Sequence, residues 1–192
     1  MKMSKMKPYL RHMGLLIGVS LVFISFLFFG REQGTYDILI TSGLLIAFLF
    51  SMSILFGKGG IKTKLLWMAI VILWAFINHL TEPYIIDHSY RIYINENKRV
   101  LNEIDTLLMQ KKGDISVLND SVIFQGQQLS RDEIIKLKES RKKLDVYQIY
   151  KSENGIYYGL WGFLDVRLGI TYLPAGVEPD KHYRHLAESW FR

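Results

Sequence analysis

Residues 64–90 read KLLWMAIVILWAFINHLTEPYIIDHSY and mark a change between two kinds of sequence. The stretch begins as an apolar run long enough to cross a membrane and ends in charged, water-compatible sequence. The polar residues Asn78, His79 and Glu82, together with Pro83, interrupt its second half, where a lipid-facing helix ordinarily has none of them. The sequence before this stretch therefore has the character of a membrane region, and nearly everything after it has the character of a soluble domain.

The charges of the 192-residue chain divide unevenly at this junction. Residues 1–86 hold eight Lys and Arg against three Asp and Glu, whereas residues 87–192 hold sixteen against fifteen. The excess of positive charge thus comes mainly from the flanks of apolar segments, where basic residues influence the orientation of a protein in a membrane. The basic residues within 136–143 lie among the acidic residues Asp132, Glu133, Glu139 and Asp145. This mixture is typical of a solvated helix face, so we expect no nucleic-acid partner.

Three apolar segments follow one another in residues 1–86, at about 10–30, 37–56 and 65–86. Each has about 20 residues, enough to cross a hydrocarbon core of about 30 Å at 1.5 Å per residue. The first lacks the small-residue cleavage site of a signal peptide, which favours an uncleaved span. We therefore predict three transmembrane helices in contact with the lipid bilayer.

Lysine and arginine in the short flanks predict the orientation of these helices. The N-terminal flank and the second loop together hold seven: Lys2, Lys5, Lys7, Arg11, Lys58, Lys62 and Lys64. The opposite side holds four: Arg31, Arg91, Lys98 and Arg99. This difference favours a multi-pass protein of the cell (inner) membrane with a cytoplasmic N-terminus and an extracytoplasmic C-terminal domain.

Two rows of small residues indicate where the spans pack. Gly14 and Gly18 lie four residues apart in the first span, and Gly43, Ala47 and Ser51 repeat the same spacing in the second. Small residues at this spacing let helix backbones approach closely in lipid. We expect these rows to contact each other, another membrane protein or a second copy of the chain.

Residues 87–192 alternate helical and strand-like patterns. The sequence predicts a helix that ends at Gly113, a hairpin around Asn119–Asp120, and a helix that opens with the capping-box pattern Ser130–Glu133. A second hairpin is predicted at Asn154–Gly155, a dipeptide that accepts positive φ at both positions, followed by a strand at Gly169–Leu173 and a final helix from about Asp180. Helices beside antiparallel hairpins predict a soluble α+β domain.

Motifs of several enzyme classes are absent from the sequence. It contains no phosphate-binding loop, no nucleophile elbow, no dinucleotide-binding glycine pattern and no cysteine. We therefore expect neither enzymatic activity nor a cofactor. His182, His185 and Glu188 carry metal-ligand side chains on the predicted last helix, but their spacing gives only a weak candidate, and we favour solvated helix residues.

His79 and Glu82 lie about 21 and 25 Å along the third span, counted from Leu65 at 1.5 Å per residue. This depth places them near the outer interface, which favours an anchoring or packing role over a proton or ion relay. Asn78, one residue before His79, is a further polar candidate within the span. Pro83 at the exit of the span is the expected kink or hinge.

Aromatic residues concentrate in the second predicted hairpin and the strand after it. Tyr147, Tyr158, Trp161 and Tyr172 form a possible binding face, although residues alternating along strands divide between the core and the sheet surface. We favour the interpretation in which these aromatic residues divide between the core and the sheet surface over one in which they form a binding groove. Gly159 and Gly162 in the same run indicate a bulge or a close backbone approach.

These observations favour a non-enzymatic membrane protein whose extracytoplasmic domain is a binding, scaffolding or accessory-subunit module of an envelope complex. Two other classes remain open. One is a sensor or regulator in which a ligand on the soluble domain acts on the third span through Pro83. The other is a membrane-embedded transporter or enzyme that uses His79, Glu82 and His88.

Overall fold

The computed structural model describes residues 8–57, 59–163 and 166–192, with the side chains at positions 8, 161–163, 166 and 167 outside the description. The chain divides into two compact units, Met1–Ser89 and Tyr90–Arg192. The first unit consists of helices, and the second combines helices with an antiparallel sheet. The division falls between Ser89 and Tyr90, at the end of the 64–90 stretch.

Two helices and the first part of a third make up the first unit. Helix α1 spans Pro8–Ser25 and helix α2 spans Gln33–Leu55, and turns connect them. Leu15, Val19 and Ile54 form a buried cluster, against which Trp67, Val71 and Trp74 of helix α3 (Ile61–Met109) pack. By length and composition, α2 and α3 are able to cross a membrane.

Helix α1 is shorter than the first predicted span. It ends at Ser25 after 18 residues, and turns occupy the positions up to Arg31 that the sequence assigned to the span. Among the described residues, two helices rather than three have the length and composition of a membrane span, and a third span stays a prediction.

Helix α3 is a single helix of 49 residues that belongs to both units. It contains Pro83 in its interior, and its last part supplies the helix that the sequence predicts at the start of the soluble domain. The buried Lys151 donates from Nζ to the carbonyls of Lys111 and Gly113 at 3.0 and 2.7 Å, directly after the helix end. Gly113 has a φ of 88°, a conformation that glycine adopts at little cost.

The sheet of the second unit is antiparallel, as predicted, and its strand order is β2-β1-β3-β4-β5-β7-β6. The strands are β1 Gly113–Leu118, β2 Ser121–Gly126, β3 Gln148–Ser152, β4 Gly155–Phe163, β5 Val166–Tyr172, β6 His185–Ala187 and β7 Trp190–Phe191. Helix α4, Arg131–Lys143, lies between β2 and β3 in the chain. The strands β2 and β6 form the two edges of the sheet.

One face of the sheet is buried. The register places Ile149 beside Tyr158, and Tyr158 beside Ile170, so that their side chains share this face. All three residues are fully buried, together with Leu101 and Leu108 of α3. The last part of α3 therefore forms the domain core with the sheet.

The local signals around α4 and the first hairpin are confirmed. Ser130 accepts from the backbone N–H of Glu133, whose carboxylate accepts from the N–H of Ser130, which is the predicted capping box. Leu118 pairs with Ser121 across the turn, and Asn119 has a φ of 51°. Both features depend on neighbours within a few residues, so the sequence contains the information that fixes them.

The second hairpin is confirmed, but the reason given for its turn is wrong. Ser152 pairs with Gly155, so Glu153 and Asn154 form the turn. Neither Asn154 nor Gly155 has a positive φ. The predicted irregularity near Gly159 is present as a register shift between Gly159 and Trp161.

The predicted final helix from Asp180 is wrong. The chain forms turns and then the short strands β6 and β7, so five strands follow α4 rather than three strands and a helix. Pairing explains the difference, because Tyr172 of β5 pairs with Trp190 and the backbones of Arg184 and Arg192 exchange two hydrogen bonds. Both pairs join residues further apart than one helical turn, and these strand contacts override the local helical pattern.

Candidate functional site

The polar residues of the third apolar segment point in different directions. Asn78 is buried and donates to the carbonyl of Trp74 at 3.1 Å. His79 is exposed, and Glu82 is half-buried. Within the described chain, no hydrogen bond joins any two of these three side chains, so the geometry provides no bonded path for a relay.

Pro83 and Ser89 lie further along the same helix, near its middle. The buried Ser89 hydroxyl lies 2.9 Å from the carbonyls of both Leu27 and Phe29, which belong to the turns after α1. This contact connects α3 to the end of α1 and has no signal in the sequence. Pro83 removes one backbone donor from α3, and its role as a hinge stays a prediction.

The two small-residue rows of α1 and α2 lie against each other. A Cβ atom added to Gly18 would lie 2.5 Å from the backbone nitrogen of Ala47 and 2.8 Å from the carbonyl oxygen of Gly43. A Cβ atom at Gly14 would meet the ring of Phe50. The two helix backbones therefore approach so closely that only glycine fits at Gly18. Ser51, at the end of the second row, lines a separate apolar cleft.

Polar side chains form contacts at one end of the helical unit, Met1–Ser89, and no sequence pattern predicts these contacts. Arg11 is buried and donates from Nη1 to the carbonyl of Ser53 at 3.2 Å. The next residue, His12, stacks on the ring of Trp67 with a centroid distance of 4.1 Å. These two contacts bring α1, α2 and α3 together at the same end.

In the sheet domain, a buried acid on α3 faces the core side of the sheet. The hydroxyl of Tyr158 lies 2.6 Å from Oδ1 of Asp105, while Oδ2 of Asp105 has no hydrogen-bond partner among the described residues. Removal from water raises the pKa of Asp105 to about 7, although the hydrogen bond from Tyr158 acts in the opposite direction. The same burial, together with the neighbouring Asp105 carboxylate, raises the pKa of the Tyr158 hydroxyl.

The four aromatic residues of the possible binding face do not share one surface. Tyr158 is fully buried and belongs to the core, while Tyr147 and Tyr172 are half-buried. Tyr172 contacts the ring of Trp190 at 5.4 Å, and a Cβ atom at Gly159 would meet the ring of Tyr147. The side chain of Trp161 lies outside the described residues. These positions agree with the division between core and sheet surface that the sequence favours.

A recess of about 220 Å³ lies in the sheet domain. Its lining is mainly aromatic and apolar with one arginine: Tyr90, Tyr157, Leu168, Gly169, Thr171, Tyr183 and Arg192. Of the possible binding face, Tyr147, Tyr158 and Tyr172 do not line it. Three other tyrosines, Tyr90, Tyr157 and Tyr183, line this recess. The binding face considered from the sequence stays a prediction.

His182, His185 and Glu188 lie in turns and β6 rather than on a helix. The Nε2 atom of His185 lies 2.9 Å from the backbone carbonyl of Glu188, and the carboxylate of Glu188 pairs with Lys98 at 2.9 Å. Among the described residues, no group of three or more His, Cys, Asp and Glu is placed to hold a metal ion. The helical spacing on which this candidate depended is therefore absent.

The edge strand β2 has no buried residue along its length. Its sequence, SVIFQG, contains no charged residue and no proline. Ile123 is 60% exposed, and most of the strand is accessible. Soluble proteins usually protect an edge of this kind with charge, proline or a bulge.

No family model matches the sequence, and no curated protein or solved structure matches it.

The arrangement therefore offers three distinct chemistries. The helical unit, Met1–Ser89, presents apolar helix surface with cations at one end. The domain core contains a proton-binding carboxyl group that is sealed from solvent. The sheet edge presents backbone donors and acceptors to an extended chain, which is the only one of the three suited to specific recognition of a protein.

Proposed function

We propose that this chain is a non-enzymatic protein of the cell (inner) membrane with three spans and an extracytoplasmic binding domain. Only 6% of the apolar window of α3 and 17% of that of α2 are buried, whereas the core helix of a soluble protein would be mostly buried. Helix α1 likewise exposes Met13, Leu16 and Ile17, each by half or more. This apolar surface requires lipid or partner helices around it.

The domain is proposed to act as a scaffold or accessory subunit by adding a strand of a partner to its sheet. The observation that carries this proposal is the unprotected edge strand β2. An extended partner segment would form main-chain hydrogen bonds with β2, and exposed side chains such as Ile123 would select its sequence. This mode needs neither a cofactor nor catalytic side chains.

The orientation has a direct test. An alkaline phosphatase fused after Arg192 is expected to be active, because the proposed topology places this residue outside the cytoplasm. A fluorescent protein that matures only in the cytoplasm should remain dark at the same position. The reverse pattern would place the domain in the cytoplasm and exclude an extracytoplasmic partner.

Binding at β2 is testable by photo-crosslinking in cells. A photoreactive residue at the exposed position Gln125 is expected to give a discrete crosslinked product. The additional change Ile123→Lys should abolish this product, because a lysine on an edge strand opposes strand addition.

The matched control for this experiment is Ile135→Lys, which places the same charge on α4 at an isoleucine that is 44% exposed. It should leave the crosslinked product unchanged. A product that survives Ile123→Lys, or the lack of any product at Gln125, would contradict docking at β2.

A further inference from the structure

An apolar cleft of about 190 Å³ opens in the helical unit between α1, α2 and α3. Its walls are almost entirely apolar and include Leu15 of α1, Ile54 of α2, and Trp67 and Met68 of α3. Sites that enclose a whole drug-sized molecule usually measure about 300–1,000 Å³. This cleft therefore suits one segment of a longer apolar molecule, such as part of an acyl chain.

Cations lie at one end of this cleft. Arg11 precedes Leu15 by four residues, and Lys64 precedes Met68 by four, so each is one helical turn from a residue of the cleft wall. The stacking of His12 on Trp67 shows that both turns lie at the same end. Lys64 is half-buried although its neighbours on α3 are exposed, and no carboxylate of the described residues pairs with it.

The polar surroundings at this end lack negative charge. Residues 1–16 and 56–66 contain no Asp or Glu. The Nδ1 atom of His12 is buried without a hydrogen-bond partner in the part of the chain that the structure describes. An anionic oxygen placed here would be attracted by the charges of Lys64 and Arg11. It could also accept a hydrogen bond from Nδ1 of His12 in the tautomer that carries the proton there.

We propose that this cleft binds an anionic phospholipid, with a segment of one acyl chain against Trp67 and the phosphate beside Lys64, Arg11 and His12. The proposal rests on the proposed membrane topology, which places these cations at the cytoplasmic leaflet. Basic pockets between membrane helices on this side are suited to anionic headgroups. The cleft supplies the apolar part of recognition, and the cations select the headgroup.

The test measures quenching of tryptophan fluorescence by lipids with brominated acyl chains, using the full-length chain in vesicles. The quenching of Trp67 itself is the difference in quenched fluorescence between the wild type and Trp67→Phe. At equal mole fraction, brominated phosphatidylglycerol is expected to quench Trp67 at least twice as strongly as brominated phosphatidylcholine. Lys64→Gln should reduce the phosphatidylglycerol value to that of phosphatidylcholine.

The matched control is Lys62→Gln, which removes the same charge from an exposed position two residues away and should retain the preference. Equal quenching by both lipids, or equal losses in the two lysine variants, would overturn the proposal. Displacement of brominated phosphatidylglycerol by millimolar inorganic phosphate would indicate a free-anion site instead. Membrane association is measured separately by carbonate extraction, since failure there would refute the proposed function itself.

Discussion

Replacing Asp105 with asparagine is expected to stabilise the sheet domain above neutral pH and to have little effect near pH 4. The pKa of this buried carboxyl is about 7 in the folded chain against 3.8 for the free side chain. The folded state holds the proton of Asp105 more tightly than the unfolded chain does. The stabilisation of the fold by this bound proton is therefore complete below about pH 4. It is lost as the pH rises towards 7 and changes little above that.

The size of this effect follows from the two pKa values. At 1.36 kcal/mol for each pKa unit, the wild type should lose up to about 4 kcal/mol of stability between pH 4 and pH 8. Asparagine carries no charge at either pH and can still accept the hydrogen bond from Tyr158. The measurement is hydrogen exchange of the strands around Ile149 and Ile170 in the full-length chain, comparing the two proteins at the same pH.

Glu103→Gln is the control for the loss of a carboxylate from the same helix. Glu103 is exposed and pairs with Arg99 and Lys136 at the surface, so its loss should cost at most about 1 kcal/mol and leave the pH profile unchanged. If wild type and Asp105→Asn showed the same dependence on pH, Asp105 would not be a proton-binding group in the core.

Asp105 also shows how far sequence reasoning reaches in this chain. It lies four residues after Leu101 and three before Leu108, so helical periodicity already places it on the buried face. A charged residue in such a position indicates a buried polar contact. Its partner Tyr158 comes 53 residues later on a strand, and only the sheet register brings the two together.

The same distinction between local and distant information explains the other outcomes. The capping box at Ser130 was predictable because its two residues are three positions apart. The final strands were not, because Trp190 pairs with Tyr172 across the sheet. The cleft was not predictable either, since the contact of His12 with Trp67 joins helices whose packing no periodicity specifies.

Replacing Gly18 with leucine is expected to disrupt the packing of α1 on α2. The first added atom alone would meet the backbone of Ala47 at 2.5 Å, and backbone cannot rotate away as a side chain can. The helices must therefore separate, which removes the contacts around Gly43 and exposes Val22. We expect a loss of about 3 kcal/mol or more, measured by denaturant titration of the full-length chain in detergent micelles.

The smaller change Gly18→Ala distinguishes close helix packing from helix propensity alone, because the two predict opposite changes in the free energy of unfolding. Alanine in an uncrowded helix position stabilises by up to about 1 kcal/mol relative to glycine. Gly34 of α2 provides this reference, because nothing lies within 4 Å of a Cβ atom at that position. Gly34→Ala should therefore be neutral or stabilising, whereas Gly18→Ala should destabilise. If both changes stabilised the protein, α1 and α2 would not be in backbone contact at Gly18, and the small-residue rows would be free to bind a different helix.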